Sequence, residues 1–411
     1  DGARAGSSRR TQRVRAGLVV AQVGVSIVLL VSAGLLIRAL IRVQSTPPGF
    51  NPEGVLTMRT TLPPAKYGLQ APRVEFYRRV IDGVSALPGV TAAAYTSYLP
   101  MTMRGGVWPV AFAGRPTAPG GVDNASARYI TPGYFRVMEI PLKLGRVFQA
   151  SDSLLAQPVA IVSERFVQVY LDGQPPIGQA FQFGPAGPRT IVGVVGEVRV
   201  RGLESRSEPQ VYLAYQQQRD NSTLGYMPKD LVVKLDASLS GEQHMGALTT
   251  AIRRIVASAD PDQPIADIQP LAAIVDGETT ARAVQVRVLS AFAALACLLA
   301  AVGLHGLLAF VVSAREREFG VRLALGAEPR EILTLVARRG LVLGIAGVAV
   351  GVVVAYLAGR WMESLLVGVS PGDPPVLAIA ISVSVGMTLA GSVLPAVRAA
   401  RISPAEAMRA E

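Results

Sequence analysis

The sequence predicts a membrane protein: four transmembrane α-helices with a large α+β extracytoplasmic domain between helices 1 and 2. Three observations carry that expectation. Of 411 residues, 50% are hydrophobic and 17% charged, yet the formal net charge is +11, a balance unusual for a soluble domain and ordinary for a membrane protein. Four uncharged apolar runs, 16–37, 288–314, 340–359 and 376–397, approach or exceed the roughly 20 residues a helix needs to cross the hydrocarbon core. The stretch between the first two runs, 43–287, is long enough to fold around its own core.

Orientation follows from arginine in the short flanks. Arg4, Arg9, Arg10, Arg13 and Arg15 precede the first run. Arg315, Arg317, Arg322, Arg330, Arg338 and Arg339 separate the second from the third, and Arg398, Arg401 and Arg409 follow the fourth, whereas the remaining loop has Arg360 alone. The positive-inside rule then puts both termini and the 315–339 loop in the cytoplasm. The order is a basic cytoplasmic segment 1–15, helix 1 at 16–42, the outer domain 43–287 and helix 2 at 288–314. After the loop come helix 3 at 340–359, an outer loop 360–375, helix 4 at 376–397 and a cytoplasmic tail 398–411. Arg38 and Arg42 run against the rule and read as snorkelling at the outer interface.

The outer domain reads as alternating helix and strand. PRVEFYRRVIDGVSAL, 72–87, places Phe76, Val80, Ile81, Val84 and Leu87 on one helical side before Pro88-Gly89 and the strand-like VTAAAYTSYL. Thr131-Pro132 reads as an N-cap and first-turn proline ahead of GYFRVM, and PVAIVSERFVQVYL as a strand, a Ser163 cap and a helix. β-branched residues mark strands over 190–200 and 230–235, with helices from about 241 to 258 and from about 271. Turn-rich loops fall at 45–54, 114–121 and 182–188.

Several function classes drop out. One cysteine, Cys297, cannot form an internal disulfide, and two histidines, His244 and His305, make no metal-ligand cluster. Asp82, Glu164, Glu197 and Glu204 sit on amphipathic or turn positions and read as solvated surface. No catalytic residue is assigned, and the chain reads as a non-enzyme. None of its four lysines, Lys66, Lys143, Lys229 and Lys234, follows a glycine, so the phosphate-cradling Gly-x-x-x-x-Gly-Lys-Ser/Thr loop is missing and any ATP hydrolysis belongs to another chain. His305 is the sole ionisable group within a run. It reads as a hydrogen-bonded packing residue, because a proton relay needs partners. The arginines at the membrane flanks are explained by lipid headgroups, and no nucleic-acid partner is expected.

Gly340, Gly344, Gly347 and Gly351 form two Gly-x-x-x-Gly pairs, which either admit a neighbouring helix closely or reflect an Ala- and Gly-rich chain. EREFGVRLALGAEPREI, 316–332, interrupts the apolar runs. Phe319, Arg322, Leu323 and Ala324 keep helical spacing, Gly326-Ala327 breaks it, Glu328 reads as a cap, Pro329 as a first helical position and Glu331 as a first-turn acid. A short amphipathic helix with Ile332, Leu333, Leu335 and Val336 follows. It either lies on the membrane surface or docks in a partner's groove.

These residues resemble the MacB/FtsX-type permeases of ABC transporters over nearly the whole chain. The family's junction, Arg-x-Arg-Glu-Ile/Val-Gly-Ile/Val-Arg-x-Ala-Leu-Gly-Ala, is matched by Arg315, Arg317, Glu318, Phe319, Gly320, Val321, Arg322, Ala324, Leu325, Gly326 and Ala327, with Phe319 departing from the aliphatic residue. PAVRAARISPAEAMRAE, 395–411, is similar to its terminus, and YFRVMEIPLKLGRVF and TIVGVVGEVR to stretches of its outer domain. The resemblance implies an FtsX-like permease domain at 288–404, a MacB-like outer domain and a coupling region at 315–339. It also implies a cytoplasmic ABC ATPase partner that binds the ATP, a second permease half or a homodimer, and a periplasmic adaptor. Glu318, Gly320, Arg322, Gly326, Ala327, Glu328, Glu331 and Ile332 would bear the ATPase contact. Location in a bacterial inner membrane follows from the same likeness. Lipoprotein release, or regulation of a cell-wall hydrolase without transport, are the alternatives. A start at Asp1 without methionine suggests an excised piece, and the arginine-rich opening resembles the second half of a duplicated bacterial permease.

Overall fold

The computed structural model describes residues 2–103, 105–113, 123–220, 226–236, 242–315, 318–319, 321–322, 325, 328–362, 366 and 368–400, with the side chains of 2–12, 242–244, 329 and 398–400 left aside. The chain divides into two compact units, Thr46–Thr280 and the pair of segments Asp1–Ser45 and Ala281–Glu411. In chain order the elements are α1 (Gly2–Gln44), β1 (Val55–Thr60), α2 (Pro64–Tyr67), α3 (Gln70–Ser85), β2 (Val90–Thr96), β3 (Gly106–Ala111), β4 (Asn124–Ile130), α4 (Tyr134–Val137), β5 (Leu142–Gly145) and β6 (Val159–Ser163). They continue with α5 (Glu164–Tyr170), β7 (Ala180–Phe183), β8 (Gly187–Val195), β9 (Gln210–Ala214), β10 (Asp230–Leu235), α6 (Glu242–Ala259), β11 (Ile265–Pro270), α7 (Leu271–Ser313), α8 (Pro329–Trp361) and α9 (Pro374–Ala400).

In the Thr46–Thr280 unit the described strands form one sheet with two parts. An open wing runs β11-β1-β10-β2 and meets β4 through the single pair Thr96↔Ile130. From β4 the order continues β3-β7-β8-β6-β9, and β9 pairs back onto β4 in parallel, closing a six-stranded ring; β5 pairs on β8. Alternate residues point into the ring: Trp108 and Val110, Ala125 and Ala127, Ala160 and Val162, Phe181 and Phe183, Val211 and Leu213. Alanines opposite aromatics let so small a ring fill without voids, and Phe166 and Tyr170 of α5 complete the cluster.

The wing buries one face under α3 and α6. Leu56, Met58, Tyr95, Leu231 and Val233 meet Phe76, Tyr77, Val80, Ile252 and Val256, the period of two on strands matching the helical period. Tyr77 lies 4.9 Å from the Tyr95 ring and donates its hydroxyl to the Pro228 carbonyl at 2.6 Å. Of the buried arginines described, Arg73 and Arg128 have several carbonyl partners, while Arg189 Nε has none. Arg73 donates to the carbonyls of Tyr67, Gly68, Gln218 and Arg219, and Arg128 to those of Tyr98 and Met103 and to Gln210 Oε1. Such partners offset the cost of burying a guanidinium.

Two sequence expectations meet corrections in this unit. Thr131 does not cap a helix: its Oγ1 accepts from the Tyr95 N–H at 2.8 Å, where β2 hands over to β4, and α4 starts instead after Gly133 at φ 93°. A strand expected over 190–200 is Gly187–Val195, and the chain beyond leaves the sheet, with the Arg199 N–H donating to the Pro48 carbonyl. Gly49 sits against that crossing, where a Cβ would lie 1.8 Å from the Glu197 carbonyl oxygen. The expected loop at 182–188 is the β7–β8 hairpin turn, and 114–121 lies outside the described residues.

In the other unit four helices are long and apolar enough to cross a membrane, over Arg13–Gln44, Leu271–Ser313, Arg330–Trp361 and Pro374–Val397. Two apolar clusters face inward, one with Val19, Val23, Ala300 and Leu304, the other with Ile27, Val31, Ala355 and Ala380. Leu298, Val353 and Ile379 point outward. The separate short helix expected ahead of helix 3 does not exist, because α8 runs unbroken through Gly340. A mid-helix glycine costs only about 1 kcal/mol, and here the missing Cβ leaves room for Ser392. Arg38 also differs from expectation. It does not simply snorkel, for its guanidinium pairs with Asp373, whose Oδ1 accepts from the Val376 N–H at 3.3 Å at the start of α9. Arg42 lies against Gly368. His305 is half-buried and makes no side-chain hydrogen bond among the described residues, so it packs without the partner expected.

Candidate functional site

The stretch between α7 and α8 is a corner held from inside. After Ser313 the N–H groups of Ala314 and Arg315 still reach Phe310 and Val312, and that of Phe319 reaches Arg315 at 3.0 Å. Phe319 is 1% exposed and joins Leu308, Val312, Ile332, Val336 and Ala396 in one apolar cluster. Burying such a side chain contributes roughly 1.5–3 kcal/mol. The aromatic residue that departs from the family pattern is thus the corner's anchor. Its spacing of seven from Val312 was the available signal, since that interval returns to one helix face.

The outer side of the corner is polar and open. Glu318 pairs with Arg322 at 2.7 Å one turn apart, both side chains nearly half exposed, and Arg315 lies 3.8 Å from Glu318. An exposed pair of this kind contributes about 0.3–0.5 kcal/mol, so it shapes the surface more than it stabilises it. Glu328 occupies the N-cap position of α8 with extended backbone, and its carbonyl accepts from the Glu331 N–H at 2.9 Å. Its side chain makes no cap hydrogen bond, in keeping with the preference of that position for shorter Ser, Thr, Asp or Asn. Glu331 is exposed in the first turn, where an acid complements the helix dipole.

Ile332 requires a correction. Offered by sequence as a contact residue, it is 3% exposed and packs on the bundle, so it positions α8 and presents nothing outward. Ile332 and Val336 of this helix are committed to its own bundle, whereas Leu333 and Leu335 are exposed. Among the described residues of the 315–328 stretch, Leu325, 83% exposed, and Val321 are open apolar side chains. Gly320, Gly326 and Ala327 lie outside the described residues.

The four glycines of α8 stand at two crossings. Gly340 and Gly344 face Ser392 and Thr388 of α9, while Gly347 and Gly351 face Val23, Ile27 and Gly24 of α1. Close backbone approach between helices in lipid needs such gaps. Elsewhere Asp82 pairs with Arg78 at 3.2 Å and Glu164 with Lys143 at 3.6 Å. Burial pushes the Asp230 carboxyl up, against the pull of Arg59 at 2.9 Å. No group of three or more His, Cys, Asp or Glu converges on a metal position among the described residues.

Comparison with known proteins bears on the whole chain. A MacB-like periplasmic core domain model matches residues 18–255, and an FtsX-like permease C-terminal model matches 290–404. An uncharacterized ABC transporter permease, YknZ of Bacillus subtilis, is 24% identical over 296 residues, 70% of each chain. The pyoverdine export ATP-binding/permease protein PvdT of Pseudomonas entomophila is 23% identical over 70% of this chain and 44% of its own, and the macrolide export ATP-binding/permease protein MacB 2 of Aeromonas hydrophila 26% over 68% and 42%. The chain thus spans less than half the length of these last two relatives. The periplasmic region of MacB from Actinobacillus actinomycetemcomitans covers 58% of this chain and 98% of its own at 14% identity and a TM-score of 0.38. Matched over more than half its length by the first model and over most of its last third by the second, the chain belongs to the MacB/FtsX-type ABC transporter permeases.

Proposed function

We propose that this chain is a permease subunit that transmits the ATP-driven motion of a separate cytoplasmic ATPase to its extracytoplasmic domain, for efflux or release of a substrate. The corner between α7 and α8 carries the reading. It is anchored by Phe319, Ile332 and Val336 and presents Glu318, Arg322, Leu325, Glu328 and Glu331 to solvent. A force-transmitting contact needs that combination, because a push on a loosely held loop is dissipated before it reaches the helices. In this reading the chain sits in a bacterial inner membrane with both termini in the cytoplasm, pairs with a second permease half or a second copy, and meets a periplasmic adaptor. Relatives named for export of pyoverdine and macrolides support efflux. Lipoprotein release and regulation of a cell-wall hydrolase use the same corner and differ in what the outer domain meets.

The test is co-purification of the full chain with the ATPase encoded beside it, with ATP hydrolysis as readout. Arg322→Glu combined with Leu325→Asp should abolish capture of the ATPase while leaving the thermal melting of the permease unchanged. Unaltered capture and hydrolysis in that variant would overturn the reading.

A further inference from the structure

A groove of about 340 Å³ runs between α1 and α7, walled by Leu18, Val19 and Leu307 and floored by Gly303 and Gly306. Arg15, Leu18, Val19 and Gln22 form one stripe of α1, spaced at three, four and seven residues. Arg15 stands at the mouth, its guanidinium carbon 4.3 Å from the centre of the Phe310 ring. Gln22 lies about 10 Å farther along the helix axis, its amide resting where a Cβ on residue 303 would be. Above Gly306 a Cβ would meet nothing within 4 Å, so the floor there is open.

Among the described residues Arg15 has no carboxylate partner and the Gln22 amide no hydrogen bond. In a hydrocarbon setting an unpaired amide is costly and a cation is drawn to the headgroup layer. A cation at the mouth and an amide about 10 Å farther in match the order of phosphate and ester in an anionic phospholipid.

We propose that this groove binds an anionic phospholipid. Its phosphate sits on Arg15, its glycerol passes Leu18 and Leu307 over Gly306, its ester carbonyls accept from the Gln22 amide, and its acyl chains continue inward from there. The arginine-rich flank places the site in the inner leaflet. That assignment of leaflet rests on the cytoplasmic N-terminus of the proposed function, and lipid binding itself does not.

Native mass spectrometry of the full chain, released from micelles containing phosphatidylglycerol or phosphatidylcholine, tests the proposal. Phosphatidylglycerol should be retained preferentially, and Arg15→Gln should cut its retention about tenfold, the loss of one charge-assisted contact. Arg15→Lys should restore most of it, Gln22→Leu should lower it without disturbing the fold, and Arg360→Gln, in another helix, should leave it unchanged. Equal retention of the two lipids, or no effect of Arg15→Gln, overturns the site. So does displacement of the lipid by excess inorganic phosphate. A Gln22→Cys variant that forms an intermolecular disulfide in membranes would show a second copy in the groove and overturn it as well.

Discussion

The outer domain and the helix bundle are closed by different kinds of side chain. In the outer domain the largest fully buried groups are aromatic or charged, among them Tyr77, Tyr95, Tyr212, Phe166, Phe183 and Arg128. In the bundle the closest crossings are made by Gly24, Gly340, Gly344, Gly347 and Gly351, while Leu298, Val353 and Ile379 face outward. Water drives large apolar surface inward in the first case. Lipid tails offer no such drive, so helices associate through close fit, and small residues do the fitting. Hydroxyls follow the same logic. Thr388 and Ser392 each donate to the carbonyl one turn back, at 2.8 and 2.7 Å, and so ask nothing of the helix they face.

The largest test of this contrast is Gly351→Leu. A Cβ at that position lies 2.7 Å from the Ile27 Cβ and 2.8 Å from the Gly24 carbonyl oxygen, so α1 and α8 should separate and folded, monodisperse protein should be lost in size-exclusion of detergent extracts. Val353→Ala, two residues on and 60% exposed, should leave the melting temperature unmoved; a loss there would break the inside-out picture of the bundle.

In the outer domain, Phe166→Ala should cost about 3–5 kcal/mol in denaturant unfolding followed by near-ultraviolet circular dichroism, because its ring is fully buried in the cluster shared by α5 and the closed strands. A smaller loss of about 2 kcal/mol is expected for Ser163→Ala, whose hydroxyl accepts from the N–H groups of both Phe166 and Gln210. Smallest is Asp152→Asn, about 1 kcal/mol at neutral pH. Arg146 grips both Asp152 oxygens, at 2.7 and 2.8 Å, and holds its carboxyl below the usual range against the effect of burial. Such a depressed group stabilises the fold above about pH 4 and stops doing so as pH falls through its folded value. Thermal melts of wild type and Asp152→Asn should therefore converge as the pH falls below that depressed value; a gap that persisted in acid would assign the effect to packing.

Much of this was legible beforehand because the signals are local. Ser163 caps α5 and Asp230–Leu235 is a strand as their residue types require, since an N-cap hydroxyl and a run of β-branched residues act on their own neighbours. Where the reading failed, a distant partner had intervened. Thr131 was taken by the Tyr95 N–H, and Arg38 by Asp373, far along the chain in each case. At the candidate site, Glu318, Arg322 and Glu331 lie exposed on the corner, yet Ile332 turned inward, because an amphipathic pattern shows that one face will be buried without naming what buries it.

By itself the sequence determined the four membrane-crossing helices, the mixed domain between the first two and the charged corner between α7 and α8. These rest on composition, helical periodicity and capping, which operate over a few turns of chain. Tertiary structure alone decided that β9 returns to β4 and closes a ring, that α8 runs through Gly340 without a break, and that Phe319 anchors the corner. Each of these depends on which surfaces meet, and the free energy of such contacts belongs to pairs of segments that no local pattern records.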